Sequence, residues 1–463
     1  MKRLLKLTPG MILTVILLLG VSGTGTHPVE ASNMESPAPQ EDQTPESESP
    51  ESRSFDHQTL EQLMSLAVHN REKVQQYVTN VEKSKEAIRF TKGAFYPSVD
   101  VSYDGNHFNG NSINAVYDEN HCLSAAVTLN VFSGFRDYYN LKAENERHRF
   151  EAYQLNAVEQ DIKLDVALAF LQVHRTQAYL KVAEHAWRLL EKEYRNALLK
   201  YKVGIFKKND ALKIKVQMDD AAQEVNRAKT AVKKSLNDLA QIVAAEMDAS
   251  RLDFTRFDEL PAFQPETAYE PDLLSRRSEL NALRSAREAA EMKAQSARSA
   301  LYPQVDLSTH YYSTNDEYRP AAGDEIEHEF AVQLQVSLNV FDGYRKYADI
   351  NRARLDVRNA GYDVAELERE LKTRLDNILL DVDVALQNLA VAQTSETEAQ
   401  ENLRITQLQF QKGVTTSTEI LDAIAFLSRA QFNVIHARTQ VFENHFHLTR
   451  MIEGFEREIG NAR

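Results

Sequence analysis

Val332, Leu334, Val336, Leu338 and Val340 alternate with Gln333, Gln335, Ser337 and Asn339. Such alternation predicts an extended strand with one apolar and one polar face. Val127, Leu129 and Val131 repeat the pattern against Ala126, Thr128 and Asn130. So do Val99, Val101 and Tyr103 against Ser98, Asp100 and Ser102, and Val305, Leu307, Thr309 and Tyr311 against Gln304, Asp306 and Ser308. These four predicted strands form two β-hairpins, 96–133 and 302–341, whose tips are loops rich in Asn, Gly and Asp.

Elsewhere the apolar period changes from two to about 3.6. Leu60, Leu63, Leu66, Ala67 and Val74 predict a first helix over 60–91. It stops ahead of Pro97, and its counterpart stops ahead of Pro303. Proline lacks an amide donor and holds the residue before it extended, so both positions switch helix to strand. Residues 136–202 contain neither proline nor glycine, and 345–412 contain only Gly361. At ~1.5 Å per residue each would reach about 100 Å. Gly204 and Gly413 end these segments and suit left-handed helix closure. Returning helices follow at 210–243 and 418–452, with Asn209 and Thr416 to Thr418 as candidate N-caps.

The elements occur twice. Leu129-Asn130-Val131-Phe132-Ser133-Gly134 recurs 209 positions later as Leu338-Asn339-Val340-Phe341-Asp342-Gly343, and Gly204 recurs at Gly413 with the same offset. The chain therefore divides into a first repeat at 56–243, an irregular crossover strap at 244–271 containing Pro261, Pro265 and Pro271, a second repeat at 272–454, and a tail at 455–463. Residues 1–31 read as a secretory signal: Lys2, Arg3 and Lys6 precede an apolar run from Met11 to Leu19 that is too short to span a bilayer. Residues 32–55, rich in Pro, Glu and Ser, read as a disordered acidic leader.

Composition narrows the function. A net charge of −14 argues against a nucleic-acid partner. One cysteine, Cys122, excludes an intrachain disulfide and a cysteine-based metal cluster. His445 and His447 lie two apart, so their rings leave a helix in different directions and suit no shared metal. No phosphate loop or nucleophile elbow occurs. We therefore expect no enzyme, no cofactor and no metal.

Strands of about ten residues with one apolar face fit a membrane barrel, apolar side out. A soluble sheet lying on a core has the same pattern. Four strands cannot close a barrel, since the smallest single-chain examples have about eight. Membrane strands here would have to be pooled from several chains.

The ordered double set resembles the TolC-like outer membrane factor family from Leu60 to Gly454. The residues that carry the likeness are Ala300-Leu301-Tyr302-Pro303-Gln304-Val305, Leu338 to Gly343, Lys412-Gly413-Val414 through Leu421-Asp422-Ala423, and Leu448 to Gly454. The resemblance implies a mainly α fold with membrane β: duplicated helical hairpins in an α-barrel and a twelve-stranded barrel shared by a homotrimer. It also implies an outer membrane exit duct with a large periplasmic portion, serving tripartite efflux or type I secretion. A periplasmic adaptor and an inner-membrane transporter would be its partners.

Glu419 and Asp422 stand three apart just after Gly413 and share a helix face. By themselves they are two N-terminal carboxylates favoured by the helix dipole. The resemblance makes them an acidic collar at the periplasmic entrance. It also points to Asp210, Phe410 and Thr415 as tip contacts. Some relatives carry tyrosine and arginine at the last two positions, so here the expectation is closure by packing without the Asp210 link. Lys207 and Lys208 crowd the other tip, as solvated turn lysines or as an adaptor contact.

A periplasmic coiled-coil adaptor without a pore is the competing class, and the two alternating hairpins discriminate against it. The mature chain is expected in the outer membrane fraction, released only by detergent. Recovery in the soluble periplasm would contradict the duct.

Overall fold

The computed structural model describes residues 58–107, 119–315 and 327–455. The chain divides into two units, Met1–Ser54 and Phe55–Arg463, and every described residue belongs to the second. The signal segment, all of the acidic leader, much of both hairpin loops and all of the tail beyond residue 455 lie outside the described residues.

Copy one runs α1 (Leu60–Asn70), α2 (Glu72–Lys92), β1 (Ser98–His107), β2 (Glu119–Phe132), α3 (Arg136–Lys202) and α4 (Lys208–Val243). Copy two runs α5 (Glu266–Arg276), α6 (Ser278–Ala297), β3 (Gln304–Asn315), β4 (Glu327–Ser337), α7 (Arg345–Gln411) and α8 (Ser417–Met451). The long helices α3 and α7 have 67 residues each. Tyr96 and Tyr302 are extended ahead of their prolines (ψ 153° and 156°), and β1 and β3 begin directly after.

Four local expectations are corrected. The first helix is not continuous: it breaks at Arg71, which is extended (ψ 124°) and donates from Nη1 to the Gln241 carbonyl at 3.2 Å. The break turns Leu60, Leu63, Met64 and Ala67 into a core with Phe170, Leu239 and Phe446. Burial of that size outweighs unbroken helix propensity. Arg277 makes the matching break in copy two, so two helices precede each hairpin. The irregular strap ends at Pro265 rather than Pro271, because Pro271 lies inside α5. Tyr269 and Leu273 hold that helix against Leu371, Leu375 and Leu448. Asn209 is inside α4, whose N-cap is Lys207, whereas Thr416 caps α8 by accepting the Glu419 N–H at 3.3 Å. Finally, β4 stops at Ser337, before Leu338 and Val340.

The rest of the strap lies on the helices. Phe254 and Phe257 meet the Phe170 ring at 4.7 and 5.8 Å, and Arg438 donates to the Phe257 carbonyl at 2.6 Å.

The strands form one antiparallel sheet in the order β1-β2-β3-β4. Val99, Val127, Thr309 and Val332 line up across it, as do Val101, Ala125, Tyr311 and Phe330. These rows make the apolar face. On the other face Ser102 and Ser124 share a hydrogen bond of 2.8 Å, and Asn130 donates to Asp306 at 3.0 Å. The apolar face is bare: Val101 is 70% exposed, Val332 63% and Leu334 65%. A soluble sheet would cover such residues, so this sheet is built to face hydrocarbon. No helix among the described residues is long and apolar enough to cross a membrane.

A buried polar knot joins the copies near the chain's C-terminal end. Arg450 Nε donates to Asp161 at 2.8 Å on α3, and Nη2 to Glu279 at 2.6 Å on α6. Arg277 donates to the Arg450 carbonyl at 2.7 Å. Ser278 donates to Glu453 through both its amide (2.6 Å) and its hydroxyl (2.9 Å). Burial pushes the Glu453 carboxyl above its ordinary range, against the opposing pull of Ser278 and Arg450. Removing Arg450 leaves the buried Glu453 and the partly buried Glu279 without their cation, while Asp161 is half exposed to water. Arg450→Met is expected to cost about 3–5 kcal/mol, read as a lower urea midpoint for loss of helix signal.

Candidate functional site at the helical tips

Both helical hairpins turn by the same device. Ile205 N–H reaches the Lys200 carbonyl (2.9 Å) and Gly204 N–H that of Tyr201 (3.0 Å). Val414 reaches Gln409 (2.9 Å) and Gly413 reaches Phe410 (3.1 Å) in the same pattern. Gly204 and Gly413 have φ of 79° and 75°, a left-handed conformation that a side chain would strain. Each long helix therefore closes with its last carbonyls bonded, and the chain returns within a few residues.

The two tips pack against one another. Phe410 is buried and meets Phe206 edge-on, with ring centroids 5.5 Å apart. Ala211 and Ile214 from α4 and Ile420, Ala423 and Ile424 from α8 complete this core. Lys200, in the last turn of α3, donates from Nζ to the Phe410 carbonyl at 2.9 Å and lies 4.8 Å above the Phe410 ring. A cation at the C-terminus of α7 is favoured by the helix dipole, and its stem covers the aromatic ring.

Apolar packing dominates the contact between the two tips. Asp210 is nonetheless linked: it accepts a hydrogen bond from the Ser417 hydroxyl at 3.0 Å, and Ser417 is buried. That link is a different one from the link that positions 410 and 415 lack. The partner is a serine in the first turn of α8, not Phe410 or Thr415. Thr415 is half-buried, and its hydroxyl makes no hydrogen bond among the described residues.

Glu419 and Asp422 are both exposed on one face of α8, and exposed Phe426 continues that face one turn on. Glu419 occupies the third helical position, where a carboxylate is favoured by the unpaired amides. Lys207 and Lys208 are exposed at the start of α4. Cations at a helix N-terminus oppose the dipole by roughly 0.3–1 kcal/mol each, so helix stability does not explain them.

The contacts of Lys200, Phe206 and Ser417 with the opposite tip are not legible in the sequence. Lys200 lies four residues before Gly204, an ordinary place for a helix-ending lysine, and its partner is 210 positions away. Nothing local signals that contact. His445 packs 5.9 Å from the Phe263 and Phe446 rings. No group of three or more His, Cys, Asp or Glu among the described residues is placed to hold a metal.

A bare apolar hairpin sheet continued by paired 67-residue helices defines a class: ducts that pass through a membrane as strands and extend beyond it as helices. The chain belongs to the outer membrane efflux protein family, whose model matches residues 63–245 and 271–453. It is 21% identical over 418 residues to the toluene efflux pump outer membrane protein TtgC of Pseudomonas putida, covering 87% of this chain and 84% of that one. It is 20% identical over 391 residues to the outer membrane protein TolC of Vibrio cholerae, covering 82% and 87%. Among solved structures, the Campylobacter jejuni CmeC outer membrane channel shares the fold with a TM-score of 0.74 at 14% identity, covering 88% of this chain and 89% of that one. The protein is an outer membrane exit duct with a large periplasmic part, which removes the pore-free adaptor reading.

The tip core gives a direct test. Phe410→Ala should cost about 3–5 kcal/mol of local stability. Hydrogen exchange should accelerate at 199–211 and 409–424, while α1 keeps its protection. Unchanged exchange at the tips would show that Phe410 does not hold them.

Proposed function

We propose that three copies of the chain form one passive conduit, with four strands from each in a twelve-stranded barrel and their long helices continuing it through the periplasm. The observation that carries this reading is the four-stranded sheet with open edges and a bare apolar face. Such a sheet has unpaired backbone groups that hydrocarbon does not tolerate. The relative TtgC is named as the outer membrane protein of a toluene efflux pump, which supports the same assembly. An inner-membrane transporter supplies the energy, and a periplasmic adaptor couples it to the duct. The two repeats, 56–243 and 272–454, each supply one hairpin of strands and one of helices.

Glu419 and Asp422 repeat around the axis as an acidic collar at the periplasmic entrance. Their exposure on one helix face beside the Gly413 turn supports this. The collar concentrates cations and repels anions where the conduit is narrowest. Phe410, Asp210 and Thr415 belong to the closure of the tip, held by the Phe206–Phe410 core and the Asp210–Ser417 bond. Lys207 and Lys208, unfavourable for their own helix, with the turns at Gly204 and Gly413, form the adaptor contact.

Reconstituted in planar bilayers, the protein should conduct with cation preference. Glu419→Ala combined with Asp422→Ala should move the reversal potential toward zero under a salt gradient. Conductance with unchanged selectivity would refute the collar, and a protein that inserts without passing current would refute the conduit.

A further inference from the structure

The crossover strap sits on a titratable ring. His174, half-buried on α3, lies with its ring centroid 5.2 Å from that of Phe254 and 5.0 Å from that of Phe257. These two strap rings stack on each other at 6.3 Å. Phe257 is buried and meets Phe442 of α8 edge-on at 5.0 Å. The imidazole is therefore part of the apolar seat on which the strap rests, and that seat spans α3 and α8.

We propose that this seat is a proton-sensitive clamp: the strap holds α3 to α8 while His174 is neutral and loosens when His174 is protonated. A neutral imidazole packs against phenyl rings as a flat aromatic group. An imidazolium in the same place loses hydration that the phenyl rings do not replace.

The surrounding charges act in the same direction. Arg438 reaches over from α8 and donates from Nη2 to the carbonyls of both Phe257 and Asp258, so the strap's main polar anchor is itself a cation near His174. Lys181 stands about two turns further along α3, exposed. Asp258, exposed on the strap, is the carboxylate that opposes them. Burial first, then Lys181 and Arg438, hold the His174 imidazole below its ordinary value, and Asp258 does not reverse that direction. Protonation thus sets a second positive charge beside the arginine that ties the strap down. The Arg256–Glu61 ion pair fastens the strap to α1 and is left in place.

The sign of the pH dependence follows. Freed from the strap, the ring meets water and titrates near its ordinary value of about 6.5. Docked, it titrates lower, so docking favours the neutral ring. The clamp is at full strength above about pH 6.5 and weakens as the pH falls below it, by at most about tenfold in the docking equilibrium at pH 5.5. Release removes one restraint on how α3 and α8 shift against each other. All of these groups belong to one chain, so the clamp does not depend on the multichain reading.

Hydrogen exchange of the full chain in detergent micelles tests this, with rates at pH 7.5 and 5.5 corrected for intrinsic exchange. Residues 252–258 should exchange several-fold faster at pH 5.5, while 409–424 in the tips keep their protection. His174→Gln, polar but without a titrating ring, should remove the step. His174→Phe, which completes the ring cluster, should remove it without loosening the strap at pH 7.5. His445 also touches the strap, 5.9 Å from the Phe263 ring, and His445→Gln should leave the step in place. A strap whose exchange is the same at both pH values overturns the clamp, as does a step that survives both His174 variants or disappears with His445→Gln. Slower exchange in acid would mean that the phenyl faces hold the imidazolium, and it too overturns the proposal.

Discussion

A backbone amide in hydrocarbon has no water to bond, so every strand that enters a bilayer must find a strand on each side. Among the described residues this protein brings four strands, and the two outer ones have no neighbour there. The apolar Val99–Val127–Thr309–Val332 row, exposed at Val99 and Val332, marks the side that meets lipid, and the Asn130–Asp306 bond the side that meets water. Sharing strands between chains follows from that constraint. The long helices then have a fixed origin, because α3 and α7 leave β2 and β4 through matching knuckles at Gly134-Phe135 and Gly343-Tyr344.

Duplication is close where geometry demands it and loose where contacts differ. The knuckles, the proline switches and the glycine turns recur with nearly the same dihedral angles. The tips are not equivalent. Lys200 reaches from α3 to the carbonyls ending α7, and its counterpart in copy two is Gln409. Closure of a helical end needs left-handed backbone in each copy, whereas the packing of one tip on the other uses two different surfaces. That asymmetry places Glu419 and Asp422 on one hairpin, with Lys207 and Lys208 on the other.

Between sheet and tips, the molecule is held by two kinds of contact. The aromatic cluster of Phe170, Phe254, Phe257 and Phe446 fixes the strap to the helices. The Arg450 knot ties α3, α6 and the end of α8 together. Buried ion pairs add little net stability compared with apolar packing, but they tolerate few alternative arrangements. Here that fixes where the second repeat meets the first.

The sequence alone determined most features that depend on local spacing. Period-two runs marked the strands, proline-free tracts marked the 67-residue helices, and Gly204 and Gly413 marked their ends, because these signals act through the backbone of a few neighbouring residues. Tertiary structure decided the rest. It broke the first helix at Arg71 and carried α5 through Pro271, because burial of Leu60, Leu63, Tyr269 and Leu273 outweighed local preference. It ended β4 at Ser337 despite continued alternation, because a strand needs a partner as well as a pattern. It also gave Asp210 to Ser417 and Lys200 to Phe410, contacts across more than 200 positions that no local rule encodes.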